Sequence, residues 1–213
     1  MPRRDAERNR ARLIEIGRVT LAELGPDAPL EEIARRAGVG IGTLYRHFPT
    51  REALVASIFA EHMEVVLAAA EDAAEADDGW DGLVGFLERV LALQARNLPL
   101  RSIFLRVPAE ANAERRKRIQ PALDRAIARA KEQGSLRADF AVGDLVVAMW
   151  SFAPIFEATA GLAPNAWRRH LRIVLDGMRP EGATTQNVRP LAGKQLERAI
   201  DALRSRYHRR RAA

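Results

Sequence analysis

The stretch from Leu30 to Phe48, LEEIARRAGVGIGTLYRHF, leaves this chain fewer ways to fold than any other. Leu30, Ile33, Ala34 and Ala37 recur at i, i+3, i+4 and i+7, so they share one face of a helix. Gly38 stands where a helix needs a left-handed residue to stop. Ile41, Leu44, Tyr45 and Phe48 then repeat the spacing on a second helix. Two short helices joined by a glycine-containing turn make a helix-turn-helix. The glycines of GVGIG do not spell a phosphate loop, because the spacing is not G-x-G-x-x-G and a helix rather than a strand precedes them.

At about 100° per residue, the second helix has two sides. Leu44, Phe48 and Ile41 are expected to pack inward, with Tyr45 at the boundary. Gly42, Thr43, Arg46 and His47 fall on the other side. A guanidinium, a hydroxyl, an imidazole and a residue without a side chain suit phosphates and base edges approached closely.

With LEEIARRA before it, GVGIGTLYRHFPTREAL resembles the DNA-binding domain of TetR/AcrR-family transcriptional regulators, over about Ala11 to Phe59. Further along, GSLRADFAVGDLV, then a helix, then RRHLRIVLDGMRP is similar to the family's dimerisation end. The resemblance implies that Tyr45 and His47 contact phosphates, that Thr43 reaches a phosphate or a base, and that Arg51 anchors the DNA backbone. It places Arg46 at the family's variable base-reading position and Ile41 at another position that can read bases, with Gly42 as a notch between them. An arginine paired bidentately with guanine is worth ~1–3 kcal/mol of discrimination. Relatives often carry a hydroxyl residue where Pro29 stands and Ser where Gly40 stands.

The resemblance also implies a second, all-helical domain that binds a small effector and dimerises. Phe86, Val90, Phe104, Met149, Trp150 and Phe152 are the candidate pocket lining, although aromatic residues at helical spacing serve equally as ordinary core. Leu145, Phe156, Trp167, Leu171, Val174 and Met178 are the candidate dimer contacts. Effector binding would favour a conformer whose two recognition helices no longer match the groove.

Size and charge set outer bounds. The 213 residues suffice for a full core in one or two domains. There is no cysteine, which removes disulfides and thiolate metal sites and fits a reducing cytoplasm. The charged start MPRRDAERNRAR does not read as a signal peptide. The longest apolar run, LVVAMWSFAPIF, is too short to span a bilayer, so no membrane partner is expected. The net charge of +6 is unevenly spread. Residues 1–51 hold 10 basic and 7 acidic side chains, and residues 52–81 hold 9 acidic and no basic ones. The last 35 residues, 179–213, hold 9 basic and 3 acidic. A general polyanion binder would be more uniformly basic.

Taken in order, residues 1–10 read as a charged arm, frayed or lying against DNA, and a first helix runs from Ala11 to Gly25-Pro26. Asp27 or Ala28 is expected to cap the next helix, with Pro29 in its first turn. Thr50 is placed to cap a helix running to about Ala74, long enough to carry motion from one domain to the other. The acidic run Glu71–Asp78 reads as a solvated linker. Further helices are expected over Trp80–Leu98, Leu100–Val107, Ala109–Gln133 (interrupted near Pro121), Val142–Gly161 and Pro164–Met178. Arg115, Arg116, Lys117 and Arg118 make a basic helical face, either solvated or rimming the pocket. A linker and a possible tenth helix, Gln195–Tyr207, complete an all-α chain. The domains are then a helix-turn-helix domain at 1–51, an effector and dimerisation domain at 52–178, and a basic tail at 179–213.

No enzyme signature competes. His47, His62, His170 and His208 show no metal spacing, there is no G-x-S-x-G elbow, and neither Glu31/Glu32 nor Asp77/Asp78 is spaced as an acid/base couple. No cofactor and no metal are expected. The expectation is a homodimeric regulator of repressor type that binds a double-stranded palindromic operator and is released by a largely apolar effector. The rival is a ligand-binding or scaffold dimer whose helix-turn-helix no longer binds DNA.

Overall fold

The computed structural model describes residues 2–100, 107 and 113–209. Those residues form nine α-helices and no strand: α1 (Pro2–Leu24), α2 (Leu30–Ala37), α3 (Ile41–His47), α4 (Arg51–Glu75), α5 (Gly79–Arg96), α6 (Ala113–Glu132), α7 (Val142–Thr159), α8 (Ala166–Met178) and α9 (Gly193–Arg209). The helix expected over Leu100–Val107, and with it Phe104, lies outside the described residues except at its two ends. Two compact units result, Met1–Met63 with Asn97–Asn112 and Glu64–Arg96 with Ala113–Ala213, so α4 contributes to both. A boundary after Arg51 would cut α4 at its first residue.

The first unit buries Leu13, Ile14 and Leu21 of α1, Ile33, Ala34 and Ala37 of α2, Leu44, Phe48, and Leu54 and Ile58 of α4 around one centre. Fully burying such side chains is worth about 1.5–3 kcal/mol each, which is what holds helices as short as α2 and α3 in place. The expected N-terminal arm is instead the first part of α1. Its arginines have partners that reward helix: Arg8 pairs with Asp5 at 2.8 Å, and Arg10 donates to Ser57 Oγ at 3.1 Å with its guanidinium 5.3 Å from the Phe48 ring centre.

In the second unit, α5, α6, α7 and α8 share a core that includes Leu83, Leu87, Leu91, Ala126, Ile127, Leu145 and Trp167. The acidic run is not a solvated linker. Glu71 to Glu75 complete α4, and Asp78 caps α5 by accepting the Trp80 and Asp81 N–H groups at 2.8 and 3.0 Å. Arginines offset the crowding of carboxylates at the negative end of α4: Arg118 meets Glu71 at 2.6 Å, Arg89 meets Asp72 at 2.7 Å, and Arg129 donates to the Ala76 carbonyl. Arg115 likewise meets Glu64 at 2.6 Å, so part of the basic face of α6 is spent on α4 carboxylates. Helix α6 continues through Pro121.

Beyond a turn at Pro180–Gly182 the chain does not hang free. Gly143 lacks a side chain where one would overlap the Leu191 carbonyl, and Arg137 Nη2 donates to the Thr184 carbonyl at 2.9 Å. The segment 183–192 is therefore strapped across the start of α7.

Uninterrupted apolar runs understate two helices. By length and composition alone α4 and α8's neighbour α7 could cross a membrane, with mean hydropathy 1.6 and 1.2. Packing accounts for α4, whose Leu54, Ile58, Leu67 and Ala70 are buried in the two cores. Helix α7 buries Leu145, Phe152 and Phe156 but leaves Val147 exposed.

Candidate nucleic-acid interface

Helix α2 stops because Gly38 takes φ 67°, a conformation that a Cβ penalises. Its N–H bonds the Arg35 carbonyl at 3.1 Å and the Val39 N–H bonds the Ala34 carbonyl at 3.0 Å, which satisfies the end of the helix. Gly40 then restarts the chain in extended geometry, and its carbonyl accepts the Thr43 and Leu44 N–H groups at 2.9 and 3.2 Å. Pro29 occupies the matching position before α2, where Asp27 or Ala28, two and one residues earlier, were expected. Neither start has a side-chain cap.

Buried Leu44 and Phe48 fix the roll of α3. Phe48 closes the helix from outside it, in extended geometry, its N–H held by the Leu44 carbonyl at 2.8 Å. Ile41 does not pack inward with them: it is 37% exposed. At 100° per residue it stands about 60° round the helix from Leu44, on the first turn, past the edge of the core. The outward side consists of exposed Gly42, Tyr45 and Arg46 with half-buried Thr43 and His47. A side chain at Gly42 would meet nothing within 4 Å, so the notch opens away from the protein.

Two arginines of this face are held by the protein itself. Arg46 lies back along α3, donating to Thr43 Oγ1 at 3.0 Å and to the Gly42 carbonyl at 3.3 Å. Arg51, half-buried, donates to the Pro26 carbonyl at 3.0 Å and so ties the start of α4 to the turn after α1. Thr50 caps α4 through the Ala53 N–H at 3.1 Å.

The sequence reading missed a charge network on α2. Glu32 accepts two bonds from Arg35, both 2.7 Å, and one from Arg36 at 2.7 Å, while Arg36 also reaches Glu23 at 2.5 Å. The Arg35 bonds, then the Arg36 bond, hold the Glu32 carboxyl at about 2. The i+3 and i+4 spacings were there to be read. The link to Glu23 crosses between helices and was not.

Residues 13–58 match the model of the bacterial regulatory proteins of the tetR family, and residues 78–180 match the SbtR-like transcriptional regulator C-terminal domain. A TetR transcriptional regulator of known structure from Streptomyces coelicolor is 31% identical, the match covering 80% of this chain and 98% of that one with a TM-score of 0.61. One from Mycobacterium vanbaalenii is 30% identical, covering 84% and 99%, also at 0.61. The chain belongs to the TetR family of transcriptional regulators. A TetR-family regulator from Agrobacterium tumefaciens, 16% identical over 82% of this chain and 99% of that one, shares the fold at a TM-score of 0.62. No curated protein matches the sequence.

In this TetR-family chain the residues suggested for effector and dimer contacts divide by burial. Phe86, Val90 and Phe152 are buried, and Met149 and Trp150 are half-buried. Leu145, Phe156, Trp167, Leu171 and Met178 are all consumed by the chain's own core, where Phe156 and Trp167 meet edge-on at 6.0 Å. Val174 alone of that group keeps part of its surface. Two surface clefts are described. One of about 590 Å³ is lined by Asp72, Ala73, Asp81, Phe86 and Arg89. The other, of about 990 Å³, is lined by Val147, Ala148, Ile173, Val174, Val188 and Leu191. Neither gathers Val90, Met149, Trp150 and Phe152.

Proposed function

We propose that this TetR-family regulator is a repressor that grips a palindromic operator as a C2 homodimer, in the cytoplasm, and lets go when a small, largely apolar effector binds. The observation that carries the DNA reading is the roll of α3: Leu44 and Phe48 anchor one side, which leaves Gly42, Tyr45 and Arg46 facing out. In this reading Arg46 leaves Thr43 to pair with a base. Tyr45, His47 and Thr43 contact phosphates, and Ile41, being exposed, meets a thymine methyl. Arg51 meets the DNA backbone with the N–H groups that Pro26 does not use.

One α3 covers too little DNA for tight, specific binding. Two of them about 34–36 Å apart would read successive major grooves. The dimer face is assigned to the outer sides of α7 and α8, around Val147 and Ile173, which are large, apolar and exposed. The effector is assigned to the interior around Phe86, Val90, Met149, Trp150 and Phe152, with a coupling of about 1–3 kcal/mol between effector and operator.

Selection of bound sequences from a random DNA pool tests this directly. The expected product is an inverted repeat whose binding weakens steeply with salt. Recovery of no enriched sequence would favour the rival, a dimer that no longer binds DNA.

A further inference from the structure

Most of the positive charge in the first unit is spent within it. Arg8 pairs with Asp5, Arg10 donates to Ser57 and Arg18 to Glu15. Arg35 and Arg36 donate to Glu32, Arg46 to Thr43, and Arg51 to the Pro26 carbonyl. From Arg8 to Arg51, Arg12 is the one arginine with neither a hydrogen bond nor an ion pair among the described residues. Spacing explains why. The carboxylate one turn along α1 is Glu15, and Arg18 takes both of its oxygens, at 2.6 and 3.0 Å. One turn back stands Arg8, a like charge.

Arg12 lies over the turn between α2 and α3. A Cβ placed on Gly38 would sit 3.5 Å from Arg12 Nη2 and 3.8 Å from Nη1, and both residues are exposed. From Gly38 to Gly42 the chain reads Gly-Val-Gly-Ile-Gly, so this stretch has no polar side chain of its own. A Cβ at Gly40 or Gly42 would meet nothing within 4 Å, which leaves the stretch open to close approach. In a helix-turn-helix the start of the second helix enters the major groove while the first crosses the DNA backbone. The turn that joins them therefore runs beside phosphates. Here the turn supplies the close approach, and the guanidinium over it supplies the donors, a planar fork that suits a phosphate. Arg35 and Arg36, at the end of α2, would first have to release Glu32. Arg12 gives up only water.

We propose that Arg12 of α1 is a further DNA contact, gripping a phosphate that passes along the Gly38–Gly42 turn and so setting where α3 enters the groove. This rests on the DNA reading above. A phosphate contact of this kind fixes position and carries no sequence preference.

Gel shifts with duplex DNA carrying the sequence recovered from the random pool, run over a series of KCl concentrations, test the assignment. Arg12→Ala is expected to weaken binding roughly tenfold on every single-base variant alike. It is also expected to flatten the slope of log affinity against log salt by about 0.9 per subunit, a change that loss of stability alone does not produce. Arg12→Lys keeps the charge and is expected to keep the slope. Arg125→Ala, which removes an exposed charge of α6 without a partner among the described residues, is expected to leave affinity and slope as they were. An unchanged slope in Arg12→Ala, an equal loss in Arg125→Ala, or a loss confined to some base positions overturns the assignment. If the unmodified chain binds the duplex and Arg12→Ala binds it equally well, the assignment alone is wrong. If the unmodified chain binds no duplex, the DNA reading and the assignment fall together.

Discussion

His62 lies on α4 with its ring stacked on Phe59, 6.0 Å between centres, and its Nδ1 3.3 Å from Asn97 Nδ2. Burial pushes the imidazole down from its ordinary 6.5 to about 4. The folded protein therefore binds fewer protons here than the unfolded chain as the pH falls. Stability is complete above pH 6.5 and is lost between 6.5 and about 4, by roughly 3 kcal/mol. Melting temperatures from pH 7 down to 4 are expected to drop more steeply for the natural protein than for His62→Gln, and parallel curves would contradict this. The arginines of the DNA face make a contrasting pair. Arg46→Ala is expected to weaken operator binding by about 1–3 kcal/mol and to relax preference at one base position. Arg51→Ala should weaken all sequences alike, and should also lower the melting temperature, because Arg51 holds the Pro26 carbonyl. Gel shifts on a panel of single-base operator variants at fixed salt distinguish the two patterns.

Among the elements, the turn between α2 and α3 is where local chemistry decides most. Gly38→Ala puts a Cβ on a residue at φ 67° and is expected to cost about 1–2 kcal/mol, read by chemical denaturation. Gly40→Ala, where φ is −70° and the space is open, is expected to change stability far less. If the two variants were equally stable, strain would not be what ends α2. This part of the fold was legible in the sequence, because spacing, glycine and a short turn are all local signals. The start of α1 was not, since Arg10 finds Ser57 and Phe48 only after folding. The acidic run misled for a similar reason. Its carboxylates repel as written, and become tolerable in a helix once Arg89 and Arg118 arrive from α5 and α6. Ile41 shares a spacing with Leu44 and Phe48, and periodicity cannot report that the core ends before the first turn of α3.

Across the whole molecule, the sequence could locate the helices of the C-terminal end but not sort their faces. Trp167, Leu171 and Met178 have the spacing of either a core or a contact stripe, and they are core. The faces left over, marked by Val147 and Ile173, emerge only once the core has taken its share. If two copies pair there, the operator must present its halves about one helical turn apart. Inserting about five base pairs between the half-sites is expected to abolish binding, because it turns one half to the far side of the duplex, and inserting a full turn is expected to restore little. Binding that tolerated every spacing would point to subunits acting singly.

The resting place of Arg46 on Thr43 and the Gly42 carbonyl has a consequence for accuracy. These contacts use two of the five guanidinium N–H groups and hold the side chain along α3, so reaching a base edge means giving them up. Only an edge with two acceptors in the right plane does better than staying put. If Arg46 reads a base as proposed, the contact would act as a threshold that favours guanine, whose two acceptors replace both bonds.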